Sequence, residues 1–306
     1  MSYRLLMNKV KDKKLIVIVG PTGIGKTDLS IYLAKELNCE IISADSRQFY
    51  RQMSIGTAKP SNVELKCIKH HFIDCMDIEK EYSAGKFESD AIKIINELFL
   101  KNNHLIMVGG SGMYIDAVCN GIDDIPSDLD IRTQLKKELK ENGILKLQNE
   151  LLKKDPDHYH AMDINNPQRL IRALEVCRCS GRTYTSFRSN PKKHREFHII
   201  KIGLEANRTM IYERINKRVD KMIEDGLIDE AKSLYENRHL NALNTVGYKE
   251  LFNYFQNKLS LEESVEEIKK NTRRFAKRQL TWFKKDENIN WFSYNERSTI
   301  LSFLKN

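Results

Sequence analysis

The segment Gly20-Pro-Thr-Gly-Ile-Gly-Lys26-Thr27 constrains this chain most. It fills the pattern G-x-x-x-x-G-K-S/T and lies between an apolar run and an amphipathic one. The run before it, Lys14-Leu-Ile-Val-Ile-Val19, is β-branched and has the length of a buried strand. The run after it carries Leu29, Leu33 and Leu37 at helical spacing, which predicts a helix over 27–37. Strand, glycine-rich turn and helix in that order aim backbone N–H groups and the positive end of a helix at one point, where phosphate oxygens bind. Gly20, Pro21, Thr22, Gly23, Ile24 and Gly25 form the cradle, Lys26 adds a positive charge, and the Thr27 hydroxyl suits Mg2+. Such a loop selects phosphates and not a nucleoside. A kinase, a nucleotide hydrolase and a transferase that consumes a diphosphate all remain open at this point.

Further strands are expected over 40–44 and 104–108, with a helix over 89–100 between them. Short apolar strands alternating with helices predict an α/β fold, a P-loop NTPase-like parallel sheet with helices on both faces. From residue 113 to 191 strand character disappears, and helices read over 132–142, 144–153 and 167–179. It returns over 197–204, and long amphipathic helices follow over 209–225, 228–237, 248–257 and 261–284, with a short strand over 290–292. The core is therefore expected to be discontinuous, 1–115 and 196–306 with C-terminal helices, interrupted by a helical insertion domain at 116–195. No internal repeat or long flexible linker is read.

Composition narrows the class. With 41% hydrophobic residues the 306-residue chain can bury a real core, and its apolar runs are far shorter than the roughly 20 residues a membrane helix needs. Basic residues near the start (Arg4, Lys9, Lys11, Lys13, Lys14) are not followed by a signal-peptide pattern, so a cytoplasmic location is expected. The six cysteines lack C-x-x-C spacing and read as reduced thiols. A net charge of +9 favours a polyanionic partner.

Other residues point to chemistry. Asp45, in Ser43-Ala-Asp-Ser46-Arg47-Gln48, falls beyond the end of the second strand, where a carboxylate serves as general base or reaches Mg2+ through water. Read alone, it is more often a turn or cap aspartate; its neighbours Arg47 and Gln48 shift that balance. Gly109-Gly-Ser111-Gly112 follows the 104–108 strand at the same edge, so the phosphate loop, Asp45 and Ser111 are expected to converge. Basic residues cluster at Gln168-Arg169-Leu-Ile-Arg172 and at Arg273 to Lys285, which includes Lys277 and Arg278. The second cluster mixes cations with aromatics, as proteins that stack unpaired RNA bases do. Phe275, Trp282 and Phe283 themselves are expected in the core. His70 and His71 read as structural residues, not metal ligands.

Together these segments resemble the bacterial tRNA dimethylallyltransferases, also called tRNA isopentenyltransferases. The resemblance runs through Gly20 to Thr27, Ser43 to Pro60, His71-Phe-Ile-Asp74, Tyr82-Ser-Ala-Gly-Lys-Phe87, Gly109 to Tyr114, Pro167 to Val176, Val246-Gly-Tyr-Lys-Glu250 and Arg274 to Trp282. It implies Mg2+-dependent transfer of a dimethylallyl group from dimethylallyl diphosphate to the exocyclic amine of the adenosine 3′ of the anticodon. It also implies that Asp45 is the base and Ser111 its partner on that amine. Arg218 would neutralise the diphosphate and Arg132 would lie near the base. The segments Asp45 to Gln48 (with Ser46 and Arg47), Gln168 to Arg172 and Lys277 to Trp282 would face the anticodon stem-loop of tRNA. The chain departs from the family in two places: Ser stands at 111 where Thr is usual, and Gly-Ile follows Thr22 in the loop. No zinc-finger extension is read, so no structural zinc is expected. No obligate protein partner is expected, and a monomer is the default. Two enzymes that share these features remain as alternatives: a P-loop nucleotide kinase, which ATP dependence would reveal, and an adenylate isopentenyltransferase, which has no use for the basic C-terminal helices.

Overall fold

The computed structural model describes residues 13–188 and 192–305; Arg4, Lys9 and Lys11 lie outside them. Among the described residues a six-stranded sheet is built from β1 (Lys14–Val19), β2 (Ile41–Ser43), β3 (His70–His71), β4 (His104–Val108), β5 (His198–Glu205) and β6 (Ile289–Ser293). Their order across the sheet is β3-β2-β4-β1-β5-β6, and every neighbouring pair is parallel.

The central strand explains the layering. Leu15, Val17 and Val19 enter one hydrophobic cluster, whereas Ile16 and Ile18 enter another. Successive side chains of a strand point to opposite faces, so an unbroken apolar run is what a sheet covered on both faces requires. One face is closed by α1 (Lys26–Glu36), through Leu29 and Leu33, and by Ile211 and Ile215 of α9 (Arg208–Glu224). The other is closed by Phe87, Ala91 and Ile95 of α3 (Ala84–Leu98) and by Ile115 and Val118 of α4 (Gly112–Asn120). A third cluster joins α9, α10 (Leu227–Ser233), α11 (Tyr248–Phe255) and α12 (Leu261–Phe283).

By contacts the chain divides into two compact units, Gly121–Lys193 and the remainder. The sequence had drawn the inserted unit at 116–195; helix α4, however, packs against α3 and belongs to the sheet-containing unit. The inserted unit contains α5 (Leu129–Asn142), α6 (Ile144–Lys154), α7 (Pro156–Ala161) and α8 (Pro167–Ser180) around Leu135, Leu147, Leu151, Leu170 and Leu174.

Most expected elements stand within a few residues of their places, and the differences have physical reasons. The strand β3, only two residues long, and the short helix α2 (Asn62–Cys67) have too little apolar periodicity to be read. The helix expected over 228–237 ends at Ser233 and continues only as a 3-10 turn, Tyr235–Asn237. A further helix, α13 (Arg297–Lys305), buries Ile300 and Leu304. No helix among the described residues is long and apolar enough to cross a membrane. All six cysteines are free.

Candidate active site

The loop after β1 needs its glycines. Gly20, Gly23 and Gly25 have φ of 145°, 80° and 104°, conformations that side chains rarely adopt. A Cβ at Gly20 would in addition lie 2.8 Å from the Leu204 carbonyl oxygen. The loop is held from above by α9, whose Arg214 Nε donates to the Gly23 carbonyl at 2.7 Å. One turn later, Arg218 Nη1 donates to the Thr22 hydroxyl at 3.4 Å. Lys26 Nζ donates to the carbonyls of Gly20 and Pro21, each at 2.9 Å. Burial first, and then the neighbouring Arg218, pulls Lys26 down to about 7, while Asp45 opposes the shift. Arg218 is also shifted down, by burial and by Arg214, with Asp45 again opposing. Buried cations crowded beside other cations are stabilised by an anion, and diphosphate carries enough charge to answer several at once.

Because β2, β4 and β1 are neighbours, the loops at their carboxyl ends meet. Asp45 follows β2; one carboxylate oxygen accepts the Arg47 amide at 3.0 Å. The turn after β4 is glycine-rich for a packing reason. Added side-chain carbons would lie 2.3 Å from the Ala44 carbonyl oxygen at Gly109, 2.2 Å from Gln279 at Gly110 and 2.4 Å from the Trp282 ring at Gly112. Ser111 is then the one side chain that the Gly109–Gly112 turn carries. Its hydroxyl oxygen accepts the Ser46 amide and donates to the Ser46 hydroxyl, both at 3.0 Å. Behind this turn Phe49, Phe72, Tyr82, Phe87 and Tyr114 pack ring against ring, so the aromatic motifs read in the sequence support the site without lining it.

Two cavities of about 450 and 500 Å³ share Thr22, Asp45, Thr57, Ala58 and Arg218. The first is lined by the phosphate loop through Lys26 and Thr27, with Arg214, Lys217, Gly109 and Gly110. The second is bounded by Ser46, Arg47 and Ser111 on one side. Apolar Val219, Met222, Leu227 and Val246 line it elsewhere, with Phe275 and Arg278 of α12 at its edge. Thus Lys26, Asp45 and the Gly109–Gly110 turn line one chamber, while Ser111 lines the other, with Asp45 common to both.

The remaining expected residues divide. Gln48 is committed to the fold: its oxygen accepts from Ser43 at 3.1 Å and its nitrogen donates to the carbonyls of Thr57 and Ala58, both at 3.2 Å. Lys277 and Arg278 are exposed. Phe275 and Trp282 were expected in the core, yet they are 39% and 46% exposed; only Phe283, at 3%, is buried. The buried stripe of α12 runs through Ile268, Ala276, Gln279 and Phe283. Polar Gln279 takes an inward position on that stripe, whereas the two aromatics stand partly exposed beside it, and Arg278 lies over the Phe275 ring at 5.7 Å.

In the inserted unit, Gln168 and Arg169 are exposed on the first turn of α8. Arg132 and Arg172 instead direct their guanidinium groups at Glu175, whose side chain is 0% exposed. Arg172 also donates to the carbonyls of Ile125 and Pro126. Burial pushes Glu175 up, but the Arg132 hydrogen bond, the Asp128 amide and both guanidinium charges together hold it below the usual range. These two arginines hold the inserted unit together through Glu175, and both side chains remain partly exposed.

Arg214, Gln279, Glu230 and Tyr248 had no role of their own assigned from the sequence, although Gln279 and Tyr248 lie in segments that carry the resemblance. Arg214 could have been found, since it stands four residues before Arg218 on one helix face. Gln279 and the pair Glu230 and Tyr248 could not, because each acts through contacts with segments far away in the chain.

A family model described as IPP transferase matches residues 48–286. A tRNA dimethylallyltransferase of Christiangramia forsetii is 56% identical over 285 residues, covering 93% of this chain and 94% of that one. Among solved structures, the full-length tRNA isopentenylpyrophosphate transferase of Bacillus halodurans aligns with a TM-score of 0.70 and 39% identity, over 96% of both chains. A eukaryotic dimethylallyltransferase acting on tRNA aligns with a TM-score of 0.77 and 28% identity, over 94% of this chain and 75% of its own.

Proposed function

The chain belongs to the tRNA dimethylallyltransferases and is a prenyltransferase that modifies adenosine in tRNA; from that premise we propose that its joined cavities hold the two reactants. The diphosphate of dimethylallyl diphosphate occupies the first cavity. The adenine of the nucleoside 3′ of the anticodon enters the second. The lone pair of the exocyclic nitrogen forms the new bond to the allylic carbon as the carbon–oxygen bond breaks. The bonding electrons of that broken bond leave with diphosphate, and the nitrogen's proton passes to Asp45.

The observation that carries this reading is the position of Asp45, together with Thr22 and Arg218, in the walls of both cavities. An adenine amine is a weak nucleophile because its lone pair is delocalised into the ring. It gains most from a carboxylate that takes its proton as the bond forms, and such a carboxylate must stand at the junction. On the other side, negative charge gathers on the leaving oxygens. The loop amides, Lys26, Arg214 and Arg218 are donors that meet this charge more strongly in the transition state than in the ground state. The Ser111 hydroxyl is bonded to Ser46 and lines the second cavity, which supports assigning it to hold the base.

The Thr27 hydroxyl offers a hard oxygen donor on the wall of the first cavity, which fits a Mg2+ ion completed by diphosphate oxygens and water. When bound, that ion supplies charge neutralisation to the leaving group. The target base must leave its stack to enter the second cavity. Exposed Lys277 and Arg278 contact the RNA backbone, Phe275 offers a stacking surface at the cavity edge, and Gln168 and Arg169 contribute from the inserted unit.

The test is incubation of the protein with unmodified tRNA, Mg2+ and dimethylallyl diphosphate, with and without ATP, followed by mass spectrometry of the digested nucleosides. A dimethylallyl increment on adenosine without ATP is expected. ATP consumption with no increment would return the phosphate loop to nucleotide chemistry.

A further inference from the structure

We propose that Gln279 is a positioning residue that sets the spacing between the leaving-group chamber and the base chamber; this rests on the reactant assignment above. The side chain is 6% exposed and lies on the inward stripe of α12. Its oxygen accepts the Thr22 amide at 2.8 Å, in the loop after β1. Its nitrogen donates to the Gly110 carbonyl at 2.9 Å, in the turn after β4. One carboxamide therefore bridges two loops from different strands.

Both bonded loops reach both chambers: Thr22, which contacts Arg218, lines the two of them, and Gly110 lines the leaving-group chamber while the next residue, Ser111, lines the base chamber. The fit is close, since a Cβ at position 110 would lie 2.2 Å from the Gln279 nitrogen. Three residues on, Trp282 sits over Gly112 and donates to Asp116 at 2.9 Å. The Ser111 turn is thus gripped on both sides by one helix. The outer face of that helix presents Lys277 and Arg278, so RNA docked there bears on the element that fixes both loops.

A space-filling residue would satisfy the packing but neither hydrogen bond. Only a side chain with a donor and an acceptor at its tip ties the loops in register. Misplacing reacting groups by about 1 Å costs on the order of 100-fold in rate. The expected signature is a loss in kcat with each substrate still bound, because each half-site remains intact and only their spacing relaxes.

The experiment compares the full chain with Gln279→Met, which keeps volume, and Gln279→Glu, which keeps the acceptor for Thr22 but loses the donor to Gly110. Steady-state prenyl transfer to tRNA gives kcat and both KM values, and a thermal melt monitors the fold. Gln279→Met is expected to lower kcat by about 100-fold with both KM values within about 3-fold. In a Ser111→Ala background that loss shrinks to less than about 10-fold, because the two residues act through one turn. For Gln279→Glu, the deficit in kcat relative to the unaltered chain shrinks as pH falls, because a protonated carboxyl donates to Gly110 again. A raised KM for dimethylallyl diphosphate with kcat retained would overturn the proposal. So would losses that multiply fully with Ser111→Ala together with a pH-independent Gln279→Glu deficit. An unaltered chain that transfers no dimethylallyl group would instead overturn the reactant assignment beneath it.

Discussion

Tyr248 donates its hydroxyl to Glu230 at 2.7 Å, and the same carboxylate accepts the amides of Ser54, Ile55 and Gly56 at 2.9, 2.8 and 2.9 Å. Four donors on one carboxylate fix the segment that continues into Thr57 and Ala58, which wall both cavities. Glu230→Ala leaves three amides and a phenol to be satisfied by water or not at all. A loss of about 2–4 kcal/mol is expected, since each buried donor left unpaired costs about 1–3 kcal/mol and water relieves part of that. Denaturant unfolding measures it; a change under about 0.5 kcal/mol would show that the segment holds without its anchor.

Asp45→Asn keeps the shape of the side chain and removes its basicity. Turnover is expected to fall about 100- to 10,000-fold, with the KM for tRNA within a few-fold. Near-normal turnover would show that the proton leaves by another route.

Lys26 titrates near 7 in the free protein against an ordinary 10.5. A bound diphosphate favours its charged form, so between pH 7 and 10.5 binding takes up a proton and affinity weakens as pH rises. For the free protein the sign is the reverse. The unfolded chain binds the extra proton in that window, so the Lys26 contribution to stability grows with pH and is lost as pH falls through 7. Calorimetry of pyrophosphate binding in buffers of different ionisation enthalpy reads the uptake, which Lys26→Met should abolish. Zero uptake in the unaltered protein would show that burial and Arg218 do not hold Lys26 below its ordinary range.

Lys277→Ala and Arg278→Ala are expected to weaken tRNA binding and lower the slope of log K against log salt by up to about 1 each, leaving pyrophosphate binding unchanged. Unaltered salt slopes would remove this face of α12 from the RNA interface.

Glu175→Ala strands Arg132 and Arg172 beside a buried cavity and is expected to destabilise the inserted unit by about 3–5 kcal/mol. Its folded-state proton affinity is depressed, so the stabilisation is present above the ordinary glutamate range and fades as pH falls through the lowered value. Thermal melts at neutral and acid pH, compared with the unaltered chain, test both the size and the direction.

The local signals were strong wherever the chemistry is backbone-driven. The phosphate loop must have glycines where φ is positive and a strand and helix on either side, so a short stretch of sequence determines it. The sheet was likewise legible, because a strand buried on both faces is an unbroken apolar run, as in Lys14–Val19. That Asp45 and Ser111 stand at one edge was legible because neighbouring parallel strands end there. What only the tertiary structure decided are the polar residues that turn inward. Gln279 and Glu230 look like surface residues on amphipathic helices, and nothing in the sequence pairs Arg132 and Arg172 with Glu175. Periodicity ranks side chains by hydrophobicity, whereas a buried polar group is chosen by partners distant in sequence. Thr22 lies 257 residues from Gln279, and Ile55 lies 175 from Glu230. The same limitation misplaced Phe275 and Trp282, because no hydrophobic scale foresees that a glutamine, held by two backbone loops, will occupy an inward position on their helix.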